Sequence, residues 1–296
     1  MIKKYRSWRI KPGKRWLAEI IEFIFIILPI IFVLHTFILN KYKVPTGSME
    51  TTMLVGELFI ASKYADLWLR PLKHGDIISF NEPNYNYSEN SIKHWIEMYV
   101  WGPNNWTKRL IGMPGDHIEG KIEDDKPVVY RNGIKLDEPY INKYPLIPIA
   151  TKQNPTLQDL ALGLAQWTLR SYDPARGYSD QPFYNFNQQN ICIIPNMPQL
   201  QIHVPQTPID LYGTRMSDIF DVQLGENEYW AMGDNRLGSW DSRGWGKLNG
   251  DYIHGRILFR VFSIDSDESW MIIDLLKHPI DFWKKIRWSR SLQWVN

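Results

Sequence analysis

The sequence has a single cysteine, Cys192. It can close no intramolecular disulfide and cannot build a cysteine-rich zinc site. It also lacks the two short patterns that most readily announce a hydrolase, G-x-S-x-G and H-E-x-x-H, and none of its seven histidines stands in a recognisable catalytic motif. A basic excess is missing from most of the chain. The net charge of +2 conceals seven Lys/Arg and no acid in residues 1–17, whereas residues 40–296 hold 27 bases and 30 acids. That slightly acidic balance argues against nucleic-acid binding by the main part. With 44% hydrophobic and 14% aromatic residues, a folded domain is expected rather than disorder.

Only one long hydrophobic run is present, Ala18 to Leu39, 22 residues without Lys or Arg. As a helix it spans about 33 Å, enough to cross a bilayer core. Glu19 and Glu22 fall in its first turns, where headgroups solvate them and the helix N-terminus favours negative charge. A buried core helix rarely follows seven unopposed positive charges. A cleavable signal needs small residues after the apolar run, and Asn40-Lys41-Tyr42-Lys43 offers none. The segment therefore reads as a transmembrane anchor (18–39) behind a cytoplasmic basic segment (1–17). The positive-inside rule places the N-terminus in the cytoplasm and residues 40–296 on the outer face, in a single pass.

Beyond the anchor the pattern turns to short β-rich runs at 58–62, 76–80, 127–136, 228–233 and 252–262, with Asn132-Gly133 as a hairpin turn. They define a β-rich core over 40–140 and 227–265. Two stretches read as insertions. Residues 81–106 contain SIKHWIEMYVW, a short helix or an aromatic loop. Residues 141–226 hold nine of the 19 prolines, which argues against regular sheet through much of that region. Within it Leu157, Leu160, Ala161, Leu164 and Trp167 keep helical spacing behind Thr156 and Asp159, predicting one amphipathic helix in an irregular subdomain. The tail, 266–296, mixes tryptophans with Lys and Arg; it suits a membrane surface or a terminal helix packed on the domain.

Three segments carry the candidate chemistry. In Val44-Pro45-Thr46-Gly47-Ser48-Met49, proline, glycine and the apolar Met49, Met53, Leu54 and Val55 mark a loop held in place rather than a flexible linker. Ser48 lies nine residues past Leu39, within about 30 Å of the membrane face even if fully extended. A serine nucleophile needs a base, and a lysine serves if apolar burial lowers its pKa. Lys108, in Trp106-Thr107-Lys108-Arg109-Leu110-Ile111-Gly112, is the best candidate. Strand alternation there puts Lys108, Leu110 and Gly112 on one side. The run from Met232 to Gly246, MGDNRLGSWDSRGWG, is dense in short polar groups and opposed charges, and can hydrogen-bond a buried lysine or pair Asp241 with Arg243 or Arg236. Gly115 to Lys121 imitates a phosphate-binding loop, but Ile122 stands where a Ser or Thr hydroxyl is required.

Taken in this order behind an anchor, PTGSM, HGDIISF, TKRLIGMPGD and MGDNRLGSWDSRGWG resemble the boxes of type I signal peptidases over roughly residues 15–80, 106–136 and 228–262. The resemblance implies a mainly β catalytic domain with an N-terminal transmembrane helix. It implies a serine endopeptidase in which Ser48 attacks the scissile carbonyl and Lys108, acting neutral, takes its proton. By the same resemblance Thr46 and the Ser48 N–H form the oxyanion hole, Ser239 orients the lysine, and Asp241 and Arg243 maintain the site. No metal or other cofactor is implied. The implied substrates are exported preproteins cut beside small residues at the first and third positions before the scissile bond, and the implied location is the bacterial inner membrane. The chain departs from the family in having Thr51-Thr52-Met53 where Pro-Thr-Leu is frequent, and Leu237-Gly238 where Asp-Asn is common. An inactive anchored peptide-binding scaffold and a dedicated processing peptidase with narrow range are the alternatives.

Overall fold

The fold is taken from a computed structural model that describes residues 15–63, 70–144, 146–151, 167–171, 173, 191–193, 217–266 and 271–295. Helix α1 runs from Trp16 to Ile38 and is the one helix among the described residues long and apolar enough to cross a membrane. Most of its side chains are exposed, with Ala18 and Thr36 buried near its two ends, as suits lipid rather than a protein core. Pro29 supplies no N–H to the turn before it, and that turn, Phe23–Ile27, widens to a π-helix. Residues 1–14 of the basic segment lie outside the described residues.

At Leu39 the backbone switches directly to an extended conformation, and β1 (Leu39–Lys43) begins where the helix stops. Helix α1 is thus continuous with the first strand of the sheet, with no intervening linker. The large sheet orders β1, β2 (Glu57–Lys63), β14 (Ile253–Ser263), β3 (Ile77–Asn81), β4 (Asn105–Gly112), β12 (Glu228–Met232) and β13 (Leu248–Asn249). A short β15 (Gln293–Trp294) pairs with Phe259 and Arg260 of β14. β14 can take both neighbours on one side because β3 covers its first residues, 253–256, and leaves 259–260 open.

A single register row crosses this sheet from the end of α1 to the candidate base. Leu39 is opposite Ser62, Ser62 opposite Arg256, Arg256 opposite Ile78, and Ile78 opposite Lys108. At about 4.8 Å per strand, four steps separate the end of the helix from Lys108 by roughly 19 Å.

A second sheet orders β11 (Phe220–Gln223), β5 (His117–Glu123), β6 (Lys126–Arg131) and β7 (Ile134–Lys135). Asn132 and Gly133 join β6 to β7 with φ of 52° and 77°, as the hairpin signal predicts. Ile111, Ile118, Val129, Leu224, Trp230 and Met232 pack together and tie β4 and β12 to this second sheet. On the large sheet, Ile77 joins Val44, Met49, Met53, Phe59 and Ile257, while Ile78 joins Phe80, Leu110 and Ala231. Adjacent residues of β3 enter different clusters because successive side chains point to opposite faces.

Both insertions acquire structure. In 81–106, α2 (Ser91–Tyr99) is a helix, capped by the Asn90 side chain on the N–H groups of Ile92 and Lys93. Within 141–226, β8 (Leu146–Thr151), β9 (Trp167–Ser171) and β10 (Ile191–Ile193) make a three-stranded sheet with β8 in the middle. Proline is tolerated because Pro148 lies just beyond the part of β8 that β10 covers, Ile149 to Thr151. Trp167 opens β9 and is not the end of a helix; residues 156–166 of the expected helix lie outside the described residues. β11, within the same stretch, pairs with β5. The tail packs on the domain: Phe282 and Ile286 are buried with Ile264, and Arg290 reaches the buried Glu57.

Candidate active site

Ser48 occupies the middle of a 3-10 turn, Gly47–Met49, that follows β1. The turn is fixed from both sides. Val44 exchanges hydrogen bonds with Gly56 and Glu57, Glu50 N donates to Gly47 O at 3.0 Å, and Met49 is sunk in the core beside Met53. Apolar anchors on either side of a serine are what a flexible linker would not need. Thr46 precedes the turn in extended backbone, exposed, and its side chain makes no capping hydrogen bond.

The next residues are held in an unusual way. Thr51 has φ of 85°, a left-handed conformation rare for a β-branched residue. Its hydroxyl donates to Tyr140 O at 2.9 Å, and Arg290 donates to its carbonyl at 3.3 Å. Proline, locked near φ of −65°, cannot adopt this backbone. The departure from the family's Pro-Thr-Leu is therefore accompanied by its own local structure, with Thr52 Oγ1 donating to Asp234 Oδ2 at 2.5 Å.

Lys108 lies on β4 opposite Ile78 of β3 and is 5% exposed. Its Nζ is 3.1 Å from Ser48 Oγ and 3.2 Å from Thr107 O. Burial pushes the ammonium down to about 8, against the opposing pull of the Asp241 and Asp234 carboxylates, with Arg243 adding to the depression. A lysine so placed is partly neutral near physiological pH, and its lone pair then faces the serine hydroxyl.

The polar run after β12 supplies the surrounding frame. Asp241 accepts from Gly233 N at 3.0 Å, and from Arg243 Nε and Nη2 at 2.9 Å each. Burial alone would raise this carboxyl, but the Arg243 charge and these hydrogen bonds hold it below the usual range. Arg243 continues to Asp218 at 2.6 Å and to Arg236 O at 2.6 Å. Arg236 in turn pairs with Glu138. Every member of this buried set has a partner, as a buried charge network requires.

Ser239, which by the resemblance orients Lys108, stands close by and makes no hydrogen bond to it. Its Oγ is buried and has no hydrogen-bond partner among the described residues. It lies against Gly233, where an added Cβ would come within 2.1 Å of Ser239 Oγ and 2.5 Å of Ser48 O. Only glycine lets these three segments converge.

Several contributors carried no role in the sequence reading. Arg109, next to Lys108, grips Asp234 with two hydrogen bonds, at 2.9 and 2.7 Å, and stacks its guanidinium 4.0 Å from the centre of the Tyr140 ring. Asn235 donates from Nδ2 to Gly47 O at 2.9 Å and from its backbone to Ser48 O at 3.1 Å. Arg109, Asp234 and Asn235 lie inside the recognised boxes, which was the available signal. Among the described residues, no group of three or more His, Cys, Asp or Glu is arranged to hold a metal.

A serine within hydrogen-bond distance of a desolvated lysine, on a β scaffold, has the form of a nucleophile and base pair. Comparison with known proteins agrees with that class: the signature of the signal peptidase family, peptidase S26, matches residues 17–262, and the chain belongs to this family. It is a serine endopeptidase. Signal peptidase I of Buchnera aphidicola subsp. Schizaphis graminum is 24% identical over 239 residues, covering 77% of this chain and 69% of that protein. Signal peptidase I of Buchnera aphidicola subsp. Acyrthosiphon pisum is 22% identical over 258 residues, covering 87% and 79%. Signal peptidase I of Bacillus caldolyticus is 31% identical over 134 residues, covering 45% and 58%.

Proposed function

We propose that this chain removes signal peptides from exported preproteins, with Ser48 as nucleophile and Lys108 as general base. The observation that carries the assignment is the 3.1 Å approach of Nζ to Oγ with the amine buried. Neutral Lys108 takes the hydroxyl proton as Ser48 Oγ attacks the scissile carbonyl. The oxyanion is met by the Ser48 N–H and the Thr46 hydroxyl. Lysine then gives its proton to the departing amine of the mature protein, and the signal peptide remains as an ester on Ser48. Water, losing a proton to the again neutral Lys108, hydrolyses that ester, and Lys108 returns the proton to Ser48 Oγ as it leaves. Asp241 and Arg243 keep the surrounding loop in place, and Ser239 lines the wall beside Ser48.

The substrate class fits a site beside a bilayer. Lys108 shares a register row with Leu39, the residue at which α1 ends. Beyond that row, on the same margin of the sheet, Asn81 and Asn105 lead into α2. One side of α2 and the residues after it exposes Ile92, Trp95, Ile96, Val100 and Trp101, the last 86% exposed. Tryptophan and aliphatic side chains on such a margin suit the headgroup interface of the membrane that α1 crosses. With the basic N-terminus inside, the catalytic domain faces the outer side of the cytoplasmic membrane.

The test is turnover on a panel of preproteins by the full chain in detergent and in vesicles. Cleavage of several unrelated preproteins after small residues is expected. Binding without cleavage would leave a scaffold, and cleavage of a single preprotein would leave a dedicated peptidase.

A further inference from the structure

The inserted stretch 141–226 matches no box of the family, yet it touches the nucleophile turn through buried polar side chains. Asn142 and Ser171 are both buried, Ser171 completely. Ser171 belongs to β9, in the sheet of the insertion. Its Oγ donates to Glu50 Oε2 at 2.6 Å, and its backbone N–H donates to the same oxygen at 3.1 Å. The Asn142 amide nitrogen donates to Ser171 Oγ and, at 3.1 Å, to Asn235 Oδ1. Asn235 passes the connection to the carbonyls of Gly47 and Ser48. Glu50 closes it, since its own N–H donates to Gly47 O at 3.0 Å.

The result is a closed ring of hydrogen bonds: Gly47 and Ser48, Asn235, Asn142, Ser171, Glu50, and back to Gly47. Each member is suited to its place by donor and acceptor capacity. A hydroxyl at 171 accepts from the amide and donates to the carboxylate, which alanine cannot do. Asn142 is saturated further: its Oδ1 accepts from Tyr144 N at 3.0 Å, and its backbone N–H donates to Asp234 O at 2.9 Å. Glu50 is 1% exposed, so its polar partners cannot be replaced by bulk water without reorganisation.

From this ring we infer that the insertion takes part in the reaction: Asn142 and Ser171 are positioning residues that hold the turn bearing Ser48 at its distance from Lys108. The inference rests on the Ser48/Lys108 reading and adds a role for chain that reading leaves idle. Opening the ring frees the turn to shift, and a displacement of order 1 Å at a reacting atom costs about 100-fold in rate. Because neither side chain needs to touch the peptide, the loss belongs in kcat rather than KM.

The experiment compares Ser171→Ala, Asn142→Ala and Ser171→Thr in the full chain in detergent, measuring kcat, KM and the thermal midpoint, with Ser48→Ala as reference. Both alanine variants are expected to lose about 10- to 100-fold in kcat with KM within about twofold. Ser171→Thr, which keeps the hydroxyl, is expected to recover most of the rate. Wild-type kcat in either folded alanine variant overturns the inference, as does a loss that threonine does not relieve. Should Ser171→Ala fail to fold, Asn142→Ala decides alone. Residual activity in Ser48→Ala would instead remove the Ser48/Lys108 reading, so the two failures are distinct.

Discussion

A buried base should weaken the fold that carries it, and Lys108→Met measures by how much. The ordinary lysine value is 10.5, and burial brings Lys108 down to about 8. The folded state therefore binds the proton less tightly than the unfolded chain. Below pH 8 both states are charged and the full penalty applies; as pH rises from 8 to 10.5 the folded amine is neutral and the penalty fades. At about 1.36 kcal/mol per unit, the penalty is about 3 kcal/mol at pH 6 and under about 1 kcal/mol at pH 10. Methionine removes it at every pH, while also losing the contacts to Ser48 Oγ and Thr107 O, each worth about 1 kcal/mol and nearly constant with pH. Urea unfolding of both proteins in detergent, from pH 6 to pH 10, gives the difference. Relative to wild type, Lys108→Met should lose stability by about 2 to 3 kcal/mol as pH rises across that range. A difference independent of pH, or one of opposite slope, would refute desolvation as the source of the depressed value. The same shift predicts that kcat/KM falls about tenfold per pH unit below pH 8, as the neutral amine is lost.

Three other outcomes follow from the geometry. Thr46→Val removes the exposed hydroxyl assigned to the oxyanion and should lower kcat by about 10²- to 10³-fold, while Thr46→Ser stays near wild type, as steady-state cleavage assays will report. Gly233→Ala places a methyl 2.1 Å from Ser239 Oγ and 2.5 Å from Ser48 O; cleavage should drop at least about tenfold, with destabilisation of about 1–3 kcal/mol by urea unfolding. Replacing Trp95 and Trp101 together by Ser should reduce cleavage in vesicles and leave the rate in detergent within about twofold.

What could be read from the sequence follows the reach of each signal. The long apolar helix, the β-rich runs and the Asn132-Gly133 turn are local patterns, and each appears where its periodicity or turn chemistry puts it. The serine loop was recognisable as held because Met49 and Met53 are apolar residues beside a polar turn. Burial of Lys108 was not local: its strand partner is Ile78 on β3, and its amine meets the turn of Ser48, 60 residues earlier in the chain. Strand β1 was hidden because Asn40, Lys41 and Lys43 are polar and make no run of β-favouring residues. The sheet of the insertion was hidden by its prolines, and Trp167 fitted a helical spacing while belonging to β9. The ring through Asn142 and Ser171 joins residues separated by up to 188 positions. No short window of sequence can announce it.

The claim that bears most of the account is that Ser48 and Lys108 together carry out the cleavage. Initial rates of preprotein cleavage by wild type, Ser48→Ala and Lys108→Met, all shown folded by their thermal midpoints, test it directly. Each variant should lose at least about 10³-fold in kcat. A rate within tenfold of wild type in either folded variant would contradict it.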